Sequence, residues 1–224
     1  MKFNFKEYLE SIKSIKDSKK SNRRVNIKKL RQFILIVCEG IKTEPNYFET
    51  IKNKLPKGSI DKLTIFGTGK NTISLIDEAV LYVDTRRKSV QPNFDQVWIV
   101  FDRDSFTKEQ VNTACLRIQE LGFNSAFSNE AFELWYILHF EYLDSKIDRK
   151  AYIQYLNKIF KKLKLGKYTK NSNSMYDILE QSGNQENAIT YGRKLLKLHE
   201  ESTPYDSKPS TRVFLLIEEL NKYI

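Results

Sequence analysis

Histidine and cysteine are scarce: 224 residues carry two of each. So few leave little from which to build a zinc site. Cys38 and Cys115 both stand in apolar segments, so each is expected as a buried thiol, and no disulfide framework is expected. No apolar run approaches the ~18 residues of a membrane span. The basic N-terminus is not followed by the apolar stretch of a secretory signal, so a cytoplasmic protein without membrane contact is expected. Internal repeats and long low-complexity segments are also missing. What is present is a foldable composition, 40% hydrophobic and 12% aromatic. The length suits one domain with a good core, or one domain with an appendage.

Charge divides the chain. Residues 1–31 hold 11 basic and 3 acidic side chains, a net +8. Residues 32–145 are acidic at −4, residues 146–170 return to +8, and residues 171–224 stand at −2. The corresponding division is a basic arm (1–30), an α/β domain (31–145) and a helical extension (146–224). Cations gathered into separate patches suit a polyanion such as nucleic acid. The candidates in the arm are Lys19, Lys20, Arg23, Arg24, Lys28 and Lys29. In the extension they are Lys158, Lys161, Lys162, Lys164 and Lys167, interleaved with Tyr152, Tyr155, Phe160 and Tyr168. That mixture suits base stacking with backbone contacts, although aromatic residues at helical spacing are more often core.

Two acidic clusters each follow an apolar run. Phe33 to Cys38 ends in Glu39-Gly40, and Val97 to Phe101 ends in Asp102-Arg103-Asp104. Unbroken apolar runs suit strands buried on both faces of a parallel sheet. Between and after them, strands at Lys62–Phe66 and Phe123–Phe127 alternate with helices opening near Thr43, Ile73 and Thr107. Ser128-Asn129 is expected to cap a further, very apolar helix, with Glu130 serving its dipole. Repeated βα units imply a doubly wound α/β fold. From Lys146 onward the pattern is helical only, with helices expected at Arg149–Leu163, Ser174–Gln181, Gln185–Leu198 and Thr211–Lys222.

In open α/β sheets the functional crevice lies beyond the carboxyl ends of the strands. Glu39, Asp102 and Asp104 would meet there if the strand order is 2-1-3-4. Asp102 and Asp104, two apart in an extended segment, point the same way. Three carboxylates at such a rim look like oxygen ligands for Mg²⁺ or Mn²⁺. Glu44 and Glu133 are secondary acids, one in the first turn of its helix and one on an otherwise apolar helix. His139 is read as a structural histidine or as an orienting group. Gly67-Thr68-Gly69-Lys70-Asn71-Thr72 lacks the spacing of a nucleotide-binding phosphate loop, yet amides and Lys70 at a helix start can hold a nucleic-acid phosphate.

These motifs resemble a known family. Ile34 to Gly40 followed by Lys42-Thr43-Glu44-Pro45-Asn46-Tyr47-Phe48 resembles the RloB-like family, related to the abortive-infection AbiLii proteins. Trp98 to Asp104 is similar to its second motif. Ser128-Asn129 with Phe132-Glu133-Leu134-Trp135 and Leu138-His139-Phe140 is similar to its third, with Glu130-Ala131 in place of the usual Pro-Cys. The family in turn resembles Toprim domains, Rossmann-like sheets with helices on both faces. There a Glu after the first strand and an Asp-x-Asp after the third bind Mg²⁺ for phosphodiester chemistry. The resemblance implies a metal-dependent nuclease in bacterial anti-phage defence, with an ATPase partner and Glu39 as the simplest general base. It leaves RNA (tRNA included) and DNA both open as substrate, and self-association open too.

Three other readings compete. A haloacid-dehalogenase-like phosphotransferase would carry Asp-x-Asp after its first strand, not its third. A receiver-like signalling domain needs an acidic pair where Glu39-Gly40 stands. A non-catalytic nucleic-acid-binding or sensor protein on the same fold is the serious rival.

Overall fold

Strand β1 (Phe33–Cys38) is fully buried from Ile34 onward, which its run of aliphatic residues permits. The computed structural model describes residues 32–57, 62–69, 72–103 and 106–224. The basic arm, Lys70 and Asp104 lie outside these residues. Parallel to β1 run β2 (Lys62–Gly67) on one side and β3 (Gln96–Asp102) on the other, with β4 (Asn124–Asn129) beyond β3. The order β2-β1-β3-β4 is the one expected. A fifth strand, β5 (Ser210–Thr211), pairs antiparallel with β4 and closes that edge. The chain is therefore α/β, with a five-stranded, mostly parallel sheet.

Successive side chains of a strand point to opposite faces, and the two faces carry separate cores. Ile34, Ile36, Cys38, Trp98, Val100 and Ala126 face one side. Leu35, Val37, Val97, Ile99, Phe101 and Phe127 face the other. The second face is covered by α2 (Thr72–Arg87) and α3 (Lys108–Glu120). A capping box at Thr107 and Gln110 opens α3.

The first face is covered by α1 (Thr43–Lys54), α4 (Glu133–Leu138) and α5 (Arg149–Lys162), with α6 (Met175–Ser182), α7 (Gln185–Leu198) and α8 (Val213–Leu220). The segment after residue 146 thus packs into the same core as the sheet and also supplies β5. An aromatic cluster ties α1, α4 and α6 together. Tyr47 meets Phe132 at 5.7 Å and Tyr176 at 5.3 Å between ring centres, and its hydroxyl accepts from Trp135 Nε1 at 2.8 Å. Such pairs add about 0.5–1.5 kcal/mol each beyond their burial.

Local expectations needed correction at three places. Ser128 and Asn129 do not cap a helix; they end β4. Ser128 Oγ bonds Thr211 Oγ1 at 2.9 Å, and Asn129 Nδ2 donates to the carbonyls of Pro204 and Tyr205. Partners far along the chain have taken the side chains that would have capped α4. Glu130 pairs with Lys208 instead of serving the helix dipole. Thr211 belongs to β5, so the last helix starts later, at Val213. Both cysteines are buried free thiols. Among the described residues no helix is long and apolar enough to cross a membrane.

Candidate functional site

Chain direction reverses between β1 and β3, because β1 leads outward to β2 and β2 crosses back to β3. That switch point is where an open α/β sheet leaves a crevice. Glu39 follows β1 and Asp102 ends β3, so the topology alone brings them together. The Glu39 amide donates to the Val100 carbonyl at 2.9 Å, and the Asp102 amide donates to Glu39 Oε2 at 3.2 Å.

Three helices begin beside this rim, and each gives a charged residue of its first turn. They are Glu44 of α1, Glu133 of α4 and Arg149 of α5. All five residues line a cleft of about 370 Å³. Gly40 and Gly69 line it too, as do exposed Lys42 and Lys170 and the loop residue Asn171. Close approach favours glycine at position 40, since a larger residue would have to push the Glu44 carboxylate aside. A Cβ there would lie 2.2 Å from Glu44 Oε2.

Each acid is held differently. Asp102 is 5% exposed; its Oδ2 accepts from Arg149 Nη2 at 2.6 Å, and its Oδ1 has no hydrogen-bond partner. Burial, then repulsion from Glu44, raises its pKa well above the carboxylate range, against the pull of Arg149. Glu44 is 6% exposed, and its Oε2 also has no partner. Burial raises its pKa as well, helped by Glu133 and opposed by its backbone hydrogen bond and by Lys170. Glu133 is buried and accepts from the Tyr168 hydroxyl at 3.2 Å. Thr43 is not a side-chain cap; its hydroxyl donates to Asn171 Oδ1 at 2.8 Å, and Asn46 Nδ2 donates to the Asn171 carbonyl at 3.2 Å. These bonds fasten the loop after α5 to the start of α1, above the acids.

The donor set consists of hard carboxylate oxygens, which suits Mg²⁺ or Mn²⁺. Two buried carboxylate oxygens without a donor are a costly arrangement that a cation would relieve. Among the described residues, however, no three Asp, Glu, His or Cys side chains converge closely enough to hold a metal ion as they stand. Asp104, the third expected ligand, lies outside those residues. Arg149 meets Asp102. In the sequence Arg149 is one cation among the many of the basic segment. Its signal was a cation at a helix start, where the helix dipole disfavours one.

His139 does not line the cleft. It is buried, its Nδ1 bonds the Trp135 carbonyl at 2.9 Å, and burial pushes its pKa down to about 4. Its ring packs edge-on against Trp135, the arrangement of a structural histidine. In the basic extension the aromatics and lysines separate. Tyr152, Phe160 and Tyr168 are buried in the core and offer no stacking surface, and Tyr155 is half-buried. Lys158, Lys161, Lys162, Lys164 and Lys167 are exposed. They lie toward the far end of α5, about 14–20 Å along the helix from Arg149, and in the loop after it. Both ends of this unit reach the cleft, through Arg149 and through Lys170.

No curated protein and no solved structure matches the chain significantly. The model of the RloB-like protein family matches residues 34–220. This span takes in all of the sheet but Phe33, the acidic cleft and the lysine-bearing extension, so the chain belongs to the RloB-like family.

Proposed function

We propose that this chain is a divalent-metal-dependent nuclease. It would cleave RNA, tRNA among the candidates, or DNA, as a cytoplasmic effector of bacterial anti-phage defence working with an ATPase partner. One observation carries the reading: Glu39, Glu44, Asp102 and Glu133 come from four different places in the sequence to one cleft at the switch point of the sheet. The defence setting and the ATPase rest on the family's resemblance to abortive-infection proteins.

Glu39 and Asp102 would hold Mg²⁺ or Mn²⁺, with Glu44 in reach and Asp104 as the further ligand expected from the sequence. Bound there, the ion supplies charge stabilisation at a phosphate oxygen and a water of lowered pKa. The chain's own groups do the rest. Glu39, half-buried and adjoining the end of β3, would take a proton as general base. Tyr168 fixes the orientation of Glu133. Lys42 and Lys170 line the cleft and attract the phosphate backbone. The exposed lysines of α5 and its loop hold the polymer beyond the scissile bond.

The test compares wild type with Asp102→Asn and Glu39→Gln on a panel of RNA, tRNA and DNA with Mg²⁺ or Mn²⁺. Both variants are expected to cut at least about a hundredfold more slowly, while binding the polymer nearly as well. Equal cleavage by all three proteins would remove the chemistry from this cleft. Binding without cleavage under any metal would favour the second reading, a non-catalytic nucleic-acid-binding or sensor protein. The ion pair between Arg149 and Asp102 is the observation on that side.

A further inference from the structure

The two carboxylate oxygens of Asp102 have different surroundings. Oδ2 takes a charge-assisted hydrogen bond from Arg149 at 2.6 Å, and Oδ1 is buried in the cleft wall without a partner. Arg149 itself is at an odd place for a cation. It is the first residue of α5, at the positive end of that helix's dipole, where an anion would be preferred. The helix does not explain it, and the charge-assisted bond to Asp102 is one interaction that does. Its side chain is 30% exposed beside an open cleft, so the guanidinium has room to leave. A divalent ion on Asp102 would weaken that bond, because the two cations would repel across a few ångströms of low-dielectric interior.

We propose that Arg149 is a resident counter-cation of the cleft, holding Asp102 until a divalent ion displaces it. The inference rests on the nuclease reading's metal site and deepens it. It gives the cleft two states: closed on an Arg149–Asp102 pair, and open with Asp102 on the ion. In the second state the guanidinium is released into the cleft, where a phosphate would lie. The residue is a competitor for the ion and not one of its ligands, so its removal should strengthen metal binding, not weaken it.

The experiment is calorimetric titration of Mn²⁺ into the metal-free full chain, as wild type, Arg149→Gln and Arg149→Lys. Melting temperatures are read with and without Mn²⁺. Arg149→Gln is expected to bind Mn²⁺ on the order of tenfold more tightly, the scale of one charge-assisted hydrogen bond no longer competing. Arg149→Lys, which keeps the charge and loses the planar fork, should fall between. Mn²⁺ should raise the melting temperature of Arg149→Gln by more than that of wild type. If Arg149→Gln does not fold without metal, Arg149→Lys decides the matter alone. Unchanged or weaker Mn²⁺ binding in the variants overturns the exchange and leaves the metal site standing. Failure of wild type and variants alike to bind Mn²⁺ overturns the metal site, and the exchange with it.

Discussion

Glu44 is where the fold and the site make opposite demands. Its carboxylate is 6% exposed, one oxygen has no partner, and Asp102 and Glu133 are nearby acids. Burial raises its pKa, so the folded state prefers the protonated acid. Stability from that acid is fully present below the unfolded carboxylate pKa of about 4.3 and is lost as pH rises through the folded value. Glutamine keeps the shape and has no charge to bury. In metal-free protein Glu44→Gln should therefore melt a few degrees higher than wild type at pH 8. The gap should shrink toward pH 4, and Mn²⁺ should narrow it by stabilising the wild type. Thermal melts across that pH range check this; a variant less stable than wild type at pH 8 would mean that Glu44 is well satisfied. The acids at this scale were legible because each sits beside an apolar run whose end has a known place in a sheet. Arg149 was not, because 47 residues separate it from Asp102 and one arginine in a basic stretch looks like any other. Asp102 and Arg149 were readable as charges, and only the fold made them a pair.

Elements place the cleft through the way their ends meet. The end of β2 passes under the Glu39-Gly40 turn. The Thr68 amide donates to the Cys38 carbonyl, and the Gly69 amide to the Glu39 carbonyl. Gly67 makes this possible, since a Cβ there would lie 2.1 Å from the Gly40 carbonyl oxygen and 2.7 Å from Ile41 Cα. Those atoms are backbone and cannot turn aside. Gly67→Ala should cost about 1–3 kcal/mol, lowering the melting temperature by roughly 2–10 °C, and should weaken Mn²⁺ binding by displacing Glu39. A melt within a degree of wild type would show the turn to be pliant. Strands β1 and β3 were readable from their apolar runs, and α3 from its cap and periodicity. Strand β5 was not, because Ser210-Thr211 is polar and only two residues long. Ser128-Asn129 before an apolar run reads locally as a helix cap. The misreading arose because the competing partners, Pro204, Tyr205 and Thr211, are more than 70 residues away.

At the scale of the molecule, charge and topology converge on one region. The sheet collects acids at its switch point. Helix α5 begins in that cleft at Arg149, and its loop returns there at Lys170, presenting six exposed lysines between. The α/β order and the charge pattern were both visible in the sequence. The return of the extension onto the sheet was not, because helical periodicity says which face is apolar and not what it packs against. The most direct measurement is anomalous diffraction from crystals soaked in Mn²⁺. A peak is expected in the cleft, with carboxylate oxygens of Asp102 and Glu39 about 2.1–2.2 Å away and Arg149 no longer bonded to Asp102. A cleft without a peak at saturating Mn²⁺, with Arg149 still on Asp102, would contradict the metal site and the nuclease built on it.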